Sequence, residues 1–305
     1  MEPARGSPLF LVVRPNDARH APRSLRAAVE AAGVPFAFEP VHGLLDLPRA
    51  IDEALAAGHA DLAIAGSDAA FSRAADVLLA RGAAREVRLA VIPAGLSRDI
   101  AVSLGITSLS AAVAAALRGS PHPLDAGRVH AGDGAAASHF VVAAGAGWLP
   151  PPASEVAAPM RRLSRDRGRI ITAALRLAKS PSRSFTLSID ALEHDGRYSA
   201  VSIHNLPRWQ GGLVAAPGAS PSDGLLDVLR WGVSSRRGLL KAIRGQAEGG
   251  HHVVHEGIER SPGRVIELSS PRPTTLFADG RPVGPLPARI ESLAGALTVL
   301  APPDA

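Results

Sequence analysis

The chain has 305 residues, with 33 Lys and Arg against 28 Asp and Glu, a formal net charge of +5. Apolar residues make up 46% and charged ones 20%, a globular composition that excludes disorder as the main state. Cysteine is absent, which excludes disulfide frameworks, thiolate zinc sites and a cysteine nucleophile.

The positive charge is local. Between residues 159 and 183, Arg161, Arg162, Arg165, Arg167, Arg169, Arg176, Lys179 and Arg183 face Asp166 alone, so the rest of the chain is close to neutral. Only Lys179 and Lys241 are lysines, and an arginine bias of this kind reads first as composition rather than as a nucleic-acid footprint. One Tyr and three Trp leave no aromatic interleaving for base stacking, so no nucleic-acid partner is expected. The first apolar run, Leu9–Val13, is too short for a signal peptide, and nothing approaches the roughly 20 apolar residues of a membrane span. The expectation is a soluble, cytoplasmic protein.

In chain order, short apolar runs alternate with amphipathic stretches up to about residue 120, the pattern of parallel strands joined by crossover helices. Strands are predicted at Leu9–Val13, Phe36–Val41, Asp61–Ala65 and Arg88–Ile92. Helices are predicted at Arg23–Ala32, Leu47–Ala57, from about Phe71 to Ala80, and at Arg98–Leu104 and Ser108–Arg118. Such a three-layer α/β unit binds ligands at the carboxyl ends of its strands. Beyond Gly119 the texture changes to short alternating runs at Phe140–Ala144, Ser184–Ile189, Tyr198–Ile203, Leu226–Trp231, Arg264–Leu268 and Thr275–Ala278. These predict an antiparallel β domain, a sandwich, with one helical insertion at about 160–179.

Two turns carry the chemistry of the first half: Asp61-Leu-Ala-Ile-Ala-Gly66-Ser67-Asp68-Ala69-Ala70-Phe71, and Pro93-Ala94-Gly95-Leu96-Ser97-Arg98-Asp99 leading to Leu104-Gly105-Ile106. Further on stand Leu124-Asp125, then Asn205 through Gly211-Gly212 and Ala216-Pro217. Ser222-Asp223-Gly224-Leu225-Leu226-Asp227-Val228, Ala278-Asp279-Gly280-Arg281-Pro282-Val283-Gly284 and Gly295-Ala296-Leu297 complete the series. In order and spacing these resemble the GGDGT, PxGTGNDFAxxLGI, N…GGG…AP, DDGLLDV and DGEPLG…PGAL motifs of the diacylglycerol kinase catalytic-domain family, relatives of sphingosine kinases and, more distantly, NAD kinases. The resemblance runs through essentially the whole chain.

The resemblance implies an N-terminal α/β domain over residues 1–122, rejoined by a tail at about 288–305, and a C-terminal β-sandwich over 123–287. It implies ATP and Mg²⁺ between the domains and phosphoryl transfer to a lipid hydroxyl. The nucleotide would lie on Gly66, Ser67, Asp68, Ala69, Gly95, Ser97 and Arg98, with Arg14 from the opening turn. Asp68 and Asp279 would be the surviving carboxylates, and Asp223 would hold a structural Mg²⁺. Glycines at such turns admit close approach of backbone N–H groups to phosphate oxygens, and a helix N-terminus adds a favourable field.

The sequence departs from these motifs where they bind and catalyse. Ser67, Ala69 and Ala70 replace two glycines and a threonine, so a Cβ at the close-approach positions is expected to strain the turn. Arg73 replaces an acid in the following helix, and Leu96, Ser97 and Arg98 replace Thr, Gly and Asn. Arg281 replaces the expected Glu, and a guanidinium cannot act as a base. Two readings follow. One is a lipid kinase working with Asp68 and Asp279. The other is a pseudokinase whose Arg14, Arg73 and Arg98 converge on a lipid or another small anionic ligand. Two further features have plainer alternatives. Residues 161–183 form a basic amphipathic stretch, either a peripheral contact with the inner membrane face or a helix packed on the β domain. His251, His252 and His255 have i, i+4 spacing, but Gly249, Gly250 and Val253-Val254 argue against a helical metal site.

Overall fold

Buried aliphatic runs of five or six residues, each followed by an amphipathic helix, build the first half as a parallel sheet. The structure, a computed structural model, describes residues 8–13, 21–33, 36–95, 97–132, 136–147, 182–209, 211–232, 236–254 and 257–303. Arg14, His255, the insertion at about 160–179 and most of the basic stretch 161–183 lie outside the described residues.

The chain divides into two compact units, Met1–Leu124 with Gly295–Ala305, and Asp125–Ala294. In the first, strands β1 (Leu9–Val13), β2 (Ala37–Val41), β3 (Asp61–Gly66) and β4 (Arg88–Pro93) alternate with helices α1 (Ala21–Glu30), α2 (Leu47–Ala56) and α3 (Asp68–Arg81). The order is β2-β1-β3-β4, all parallel. The short α4 (Asp99–Ser103) and α5 (Leu109–Arg118) follow β4. Every residue from Leu62 to Gly66 is buried, as expected of a strand covered on both faces. Gly82 closes α3 in the left-handed conformation at φ 71°, the usual glycine C-cap.

The second unit starts within β5 (Ser120–Ala131) and continues through β6 (Ser138–Phe140), β7 (Ala143–Gly147), β8 (Arg183–Ile189), β9 (Leu192–Glu193), β10 (Gly196–Tyr198), β11 (Ala200–His204), β12 (Arg208–Trp209), β13 (Leu213–Val214) and β14 (Leu226–Trp231). Helix α6 (Arg236–Ala247) and a 3₁₀ turn (His251–Val254) come next, then β15 (Ile258–Gly263), β16 (Val265–Ser269), β17 (Thr275–Ala278), β18 (Arg281–Pro285) and β19 (Ala288–Ala301). One antiparallel sheet runs β15-β14-β11-β7-β17-β18, and β10, β8, β16, β19, β5 and β6 pair in the other. Phe140, Phe185, Leu187 and Ile266 from this second sheet pack with Ala146, Val201, Val228 and Leu276 from the first. Two apolar faces closing on one core make the β-sandwich. The last strand closes on the first unit, where Thr298 and Val299 pair in parallel with Arg88 and Leu89.

The structure corrects several elements read from sequence. Helix α3 begins at Asp68 rather than near Phe71. The run Phe140–Ala144 is two strands with a bend at Val141-Val142. Helix α6 and strand β5 were hidden by their glycines, and each glycine has a packing reason. A Cβ at Gly245 would sit 2.7 Å from the His252 nitrogen, and one at Gly127 would sit 2.1 Å from the Phe140 ring.

Candidate functional site

Parallel strands bring the turns after β3 and β4 to the same edge of their sheet, and packing locks them together. A Cβ on Gly95 would lie 2.7 Å from both the Cα and Cβ of Ser67, and the Ala94 N–H donates to the Gly66 carbonyl at 2.9 Å. Gly95 is therefore glycine because the neighbouring backbone occupies its side-chain space. Ser67 itself is unstrained, with φ −84° and ψ 168°, which corrects the expected strain at that position. Ala69 and Ala70 lie in the first turn of α3, where a methyl group is favourable.

Asp68 is the hinge of this arrangement. Its side chain is buried, and its carboxylate reaches over to the start of α4. Oδ2 accepts from the Ser97 hydroxyl and from the Asp99 N–H at 2.8 Å, and Oδ1 accepts from the Ile100 N–H at 3.4 Å. The Ser97 hydroxyl also lies 3.3 Å from Asp99 Oδ2. One hydroxyl proton thus faces two carboxylates, both buried. Burial pushes the Asp68 carboxyl up from 3.8 to about 6, and the negative charge of Asp99 adds to the rise. A buried carboxyl raised in this way, at the carboxyl end of a parallel sheet, is a candidate acid–base group.

The other predicted carboxylates do different work. Asp279 accepts from three consecutive backbone N–H groups, Oδ2 from Val141 at 2.8 Å and Oδ1 from Val142 and Ala143 at 3.0 Å each. It holds the bend between β6 and β7 from a left-handed position at φ 45°. Three of the roughly four acceptor positions of Asp279 are thus taken by backbone, which leaves one on Oδ2. Arg281 is half-buried and donates to the His139 carbonyl at 3.2 Å. Asp223 is exposed, and its Oδ1 accepts the Leu225 N–H at 3.0 Å in a local turn. Among the described residues no group of three His, Asp or Glu side chains is gathered to hold a metal. Asp223 stands beside Ser222 rather than a second acid, so a Mg²⁺ there would need further oxygens, from backbone carbonyls or water, to complete its shell.

Of the three arginines expected to converge, Arg73 and Arg98 are described and Arg14 lies outside the described residues. Arg73 donates to Asp76 of its own helix at 2.8 Å. Arg98, at the N-cap of α4, is exposed; its carbonyl accepts the Val102 N–H at 2.9 Å, and its guanidinium makes no hydrogen bond or ion pair among the described residues. The motif residues of the second unit are stitches. Asn205 Nδ2 donates to the Asp125 and Val141 carbonyls, and Asp125 Oδ2 accepts the Gly224 N–H at 2.6 Å. Of the three histidines noted, His252 is buried in the 3₁₀ turn with Nε2 2.8 Å from the Ala215 carbonyl oxygen, and His251 is exposed. Sequence reasoning gave Asp99 no role of its own and read Ser97 as a nucleotide-binding position where a glycine is replaced. The Ser-Arg-Asp order after Gly95 was the available signal that a hydroxyl and a second carboxylate accompany Asp68.

Comparison with known proteins agrees with this architecture. Residues 14–129 match the diacylglycerol kinase catalytic domain, and residues 151–301 match the YegS C-terminal NAD kinase beta sandwich-like domain. A Stenotrophomonas maltophilia (strain K279a) protein named "Probable lipid kinase YegS-like" is 30% identical over 82% of this chain and 81% of its own length. A protein of Mycobacterium tuberculosis (strain ATCC 25618 / H37Rv) named "Diacylglycerol kinase" is 28% identical over 84% of this chain and 82% of its own. A crystal structure of a diacylglycerol kinase from Bacillus anthracis str. Sterne superposes with a TM-score of 0.74 at 18% identity, over 100% of this chain and 99% of that one. The fold, the ordered motifs and these relatives together establish that the chain belongs to the diacylglycerol kinase family, alongside the YegS-like lipid kinases.

Proposed function

We propose that the protein transfers the γ-phosphoryl group of ATP, taken as its Mg²⁺ complex, to the free hydroxyl of a diacylglycerol-like lipid. The observation that carries this reading is the Asp68–Ser97–Asp99 group at the carboxyl ends of β3 and β4, in which burial raises the Asp68 carboxyl to about 6. Family membership and the names of the relatives supply the reaction class. In this account the lipid oxygen forms a bond to the γ-phosphorus as the bond from that phosphorus to the ADP oxygen breaks. The hydroxyl proton passes to Asp68. Three of its roughly four acceptor positions are engaged, which leaves one on Oδ1. Above about pH 6 Asp68 is ionised and able to take that proton. The nucleotide phosphates lie against Gly66, Ser67, Ala69 and Gly95, where the first N–H groups of α3 lack partners within the helix. The exposed guanidinium of Arg98 offsets their charge.

A second reading has one observation in its favour. Arg281 stands where a Glu is expected, and a guanidinium supplies no base at that position. On this reading the protein binds a nucleotide or a lipid phosphate without transferring it. Calorimetric titration with ATP separates the two. The kinase reading expects binding that strengthens at least tenfold with Mg²⁺. Binding indifferent to Mg²⁺ favours an anion-holding pseudokinase, and no binding removes the nucleotide from both.

A further inference from the structure

Ser97 stands where the motif after β4 has a glycine, so its hydroxyl is a group that this chain adds to the turn. A serine hydroxyl brings one donor and two acceptor positions. Ser97 is half-buried, and its hydroxyl donates to Asp68 Oδ2 and lies 3.3 Å from Asp99 Oδ2. Asp68 is in the first turn of α3, Asp99 is in the first turn of α4, and both are buried. The hydroxyl thus joins the acids of two helices that the parallel β3 and β4 deliver to one edge of the sheet.

Donors are shared unequally between the two Asp68 oxygens. Oδ2 accepts the Ser97 O–H and the Asp99 N–H, whereas Oδ1 accepts only the Ile100 N–H at 3.4 Å. With about two acceptor positions on each oxygen, Oδ2 is full and Oδ1 has one position open. A proton arriving at Asp68 therefore binds Oδ1. Without the Ser97 hydroxyl both oxygens would have an open position. The surrounding charge makes this donor count. The negative charge of Asp99 opposes ionisation of Asp68, and the Ser97 hydrogen bond favours it. Cations of the neighbouring elements are engaged elsewhere: Arg73 with Asp76, Arg81 with Asp52 of α2, Arg49 with Glu53, and Arg88 of β4 with Asp61 of β3. Arg98 is exposed, and among the described residues no cation contributes to the Asp68 shift.

We infer that Ser97 is a positioning residue for Asp68: its hydroxyl occupies Oδ2, so that the proton of the acceptor hydroxyl is received on Oδ1. This rests on the phosphoryl-transfer reading for the source of that proton. Once Asp68 is neutral, the same hydroxyl turns to Asp99 Oδ2, the carboxylate that still carries charge. The Ser97 proton stays on Ser97 throughout.

The test is a pH titration of the full chain, labelled with carbon-13 at its aspartate carboxyls and free of ATP. The Asp68 resonance is identified by its loss in Asp68→Asn. Wild type is compared with Ser97→Ala and with Ser97→Thr, which keeps the hydroxyl. The expected result is an Asp68 midpoint about one unit higher in Ser97→Ala and back at the wild-type value in Ser97→Thr. A midpoint unmoved in Ser97→Ala, or left high in Ser97→Thr, overturns the proposal. In phosphoryl transfer to a short-chain diacylglycerol, a one-unit rise lowers the Ser97→Ala rate about fivefold at pH 6 and less than about twofold at pH 8.5. A loss equal at both pH values is what mere support of the fold gives, and it also overturns the proposal. Absence of transfer by the wild type bears on the kinase reading alone, because the titration is read without turnover.

Discussion

Replacing Asp68 by Asn removes a charge while leaving one acceptor oxygen at the junction of the two turns. The folded carboxyl is pushed from 3.8 to about 6, and a tenfold change in proton affinity corresponds to about 1.4 kcal/mol. Ionised Asp68 therefore costs the folded state about 3 kcal/mol at neutral pH. The sign follows from proton binding. Between about pH 4 and 6 the folded protein holds this proton more tightly than the unfolded chain, so stability falls as pH rises through that window and stays lower above it. Asn can accept from only some of the three donors on Asp68, namely the Ser97 hydroxyl and the Asp99 and Ile100 N–H groups, a loss of about 1–2 kcal/mol. The net expectation is a variant about 1–2 kcal/mol more stable than wild type near pH 7.5 and less stable by a similar amount near pH 4. Thermal melting across that range reads the swing of about 3 kcal/mol directly, at roughly 2–4 °C per kcal/mol for a chain of this kind. A stability difference independent of pH would refute the reasoning, because Asp68 would then be only a hydrogen-bond acceptor.

Other consequences are equally concrete. Gly95→Ala drives a methyl into the Ser67 backbone and should cost about 1–3 kcal/mol in denaturant unfolding. Gly43→Ala, with no heavy atom within 4 Å of the new Cβ, should cost within about 0.5 kcal/mol. Asp279→Ala strands the three N–H groups of Val141, Val142 and Ala143 and should cost at least about 2 kcal/mol, with exchange protection lost first at those amides. His204 and His252 are buried and held neutral, with burial lowering them to about 3 and about 4. The unfolded chain takes up these protons below about pH 6.5, so their contribution is lost as pH falls from there toward 4, by up to about 1.4 kcal/mol per pH unit each. His252→Gln should flatten that limb of a melting-temperature profile, and an unchanged slope would count against the assignment.

What the sequence revealed and what it hid follow physical lines. Periodicity located Leu9–Val13, Leu226–Trp231 and Thr275–Ala278 at their observed limits, because burial on a sheet face is written locally. The order of the motifs led to the right family. Roles within the site were less legible, because they depend on bonds between distant residues. Asp279 is separated from Val141 by 138 residues, and nothing local announces that its carboxylate holds that distant bend. Asp68 and Ser97 are 29 apart, so a serine that looks like a damaged glycine motif is in the fold the hydrogen-bond partner of the carboxylate. Glycine misled in the opposite direction at Gly127 and Gly245. Each reads as a break but marks a close contact inside a regular element.

The central claim is phosphoryl transfer with Asp68 as the proton acceptor, and the most direct measurement is the release of labelled lipid phosphate from γ-labelled MgATP and a short-chain diacylglycerol. The account predicts labelled lipid product with the wild type and a rate at least about a hundredfold lower with Asp68→Asn. No product from a protein that binds MgATP, or an undiminished rate in that variant, would contradict it.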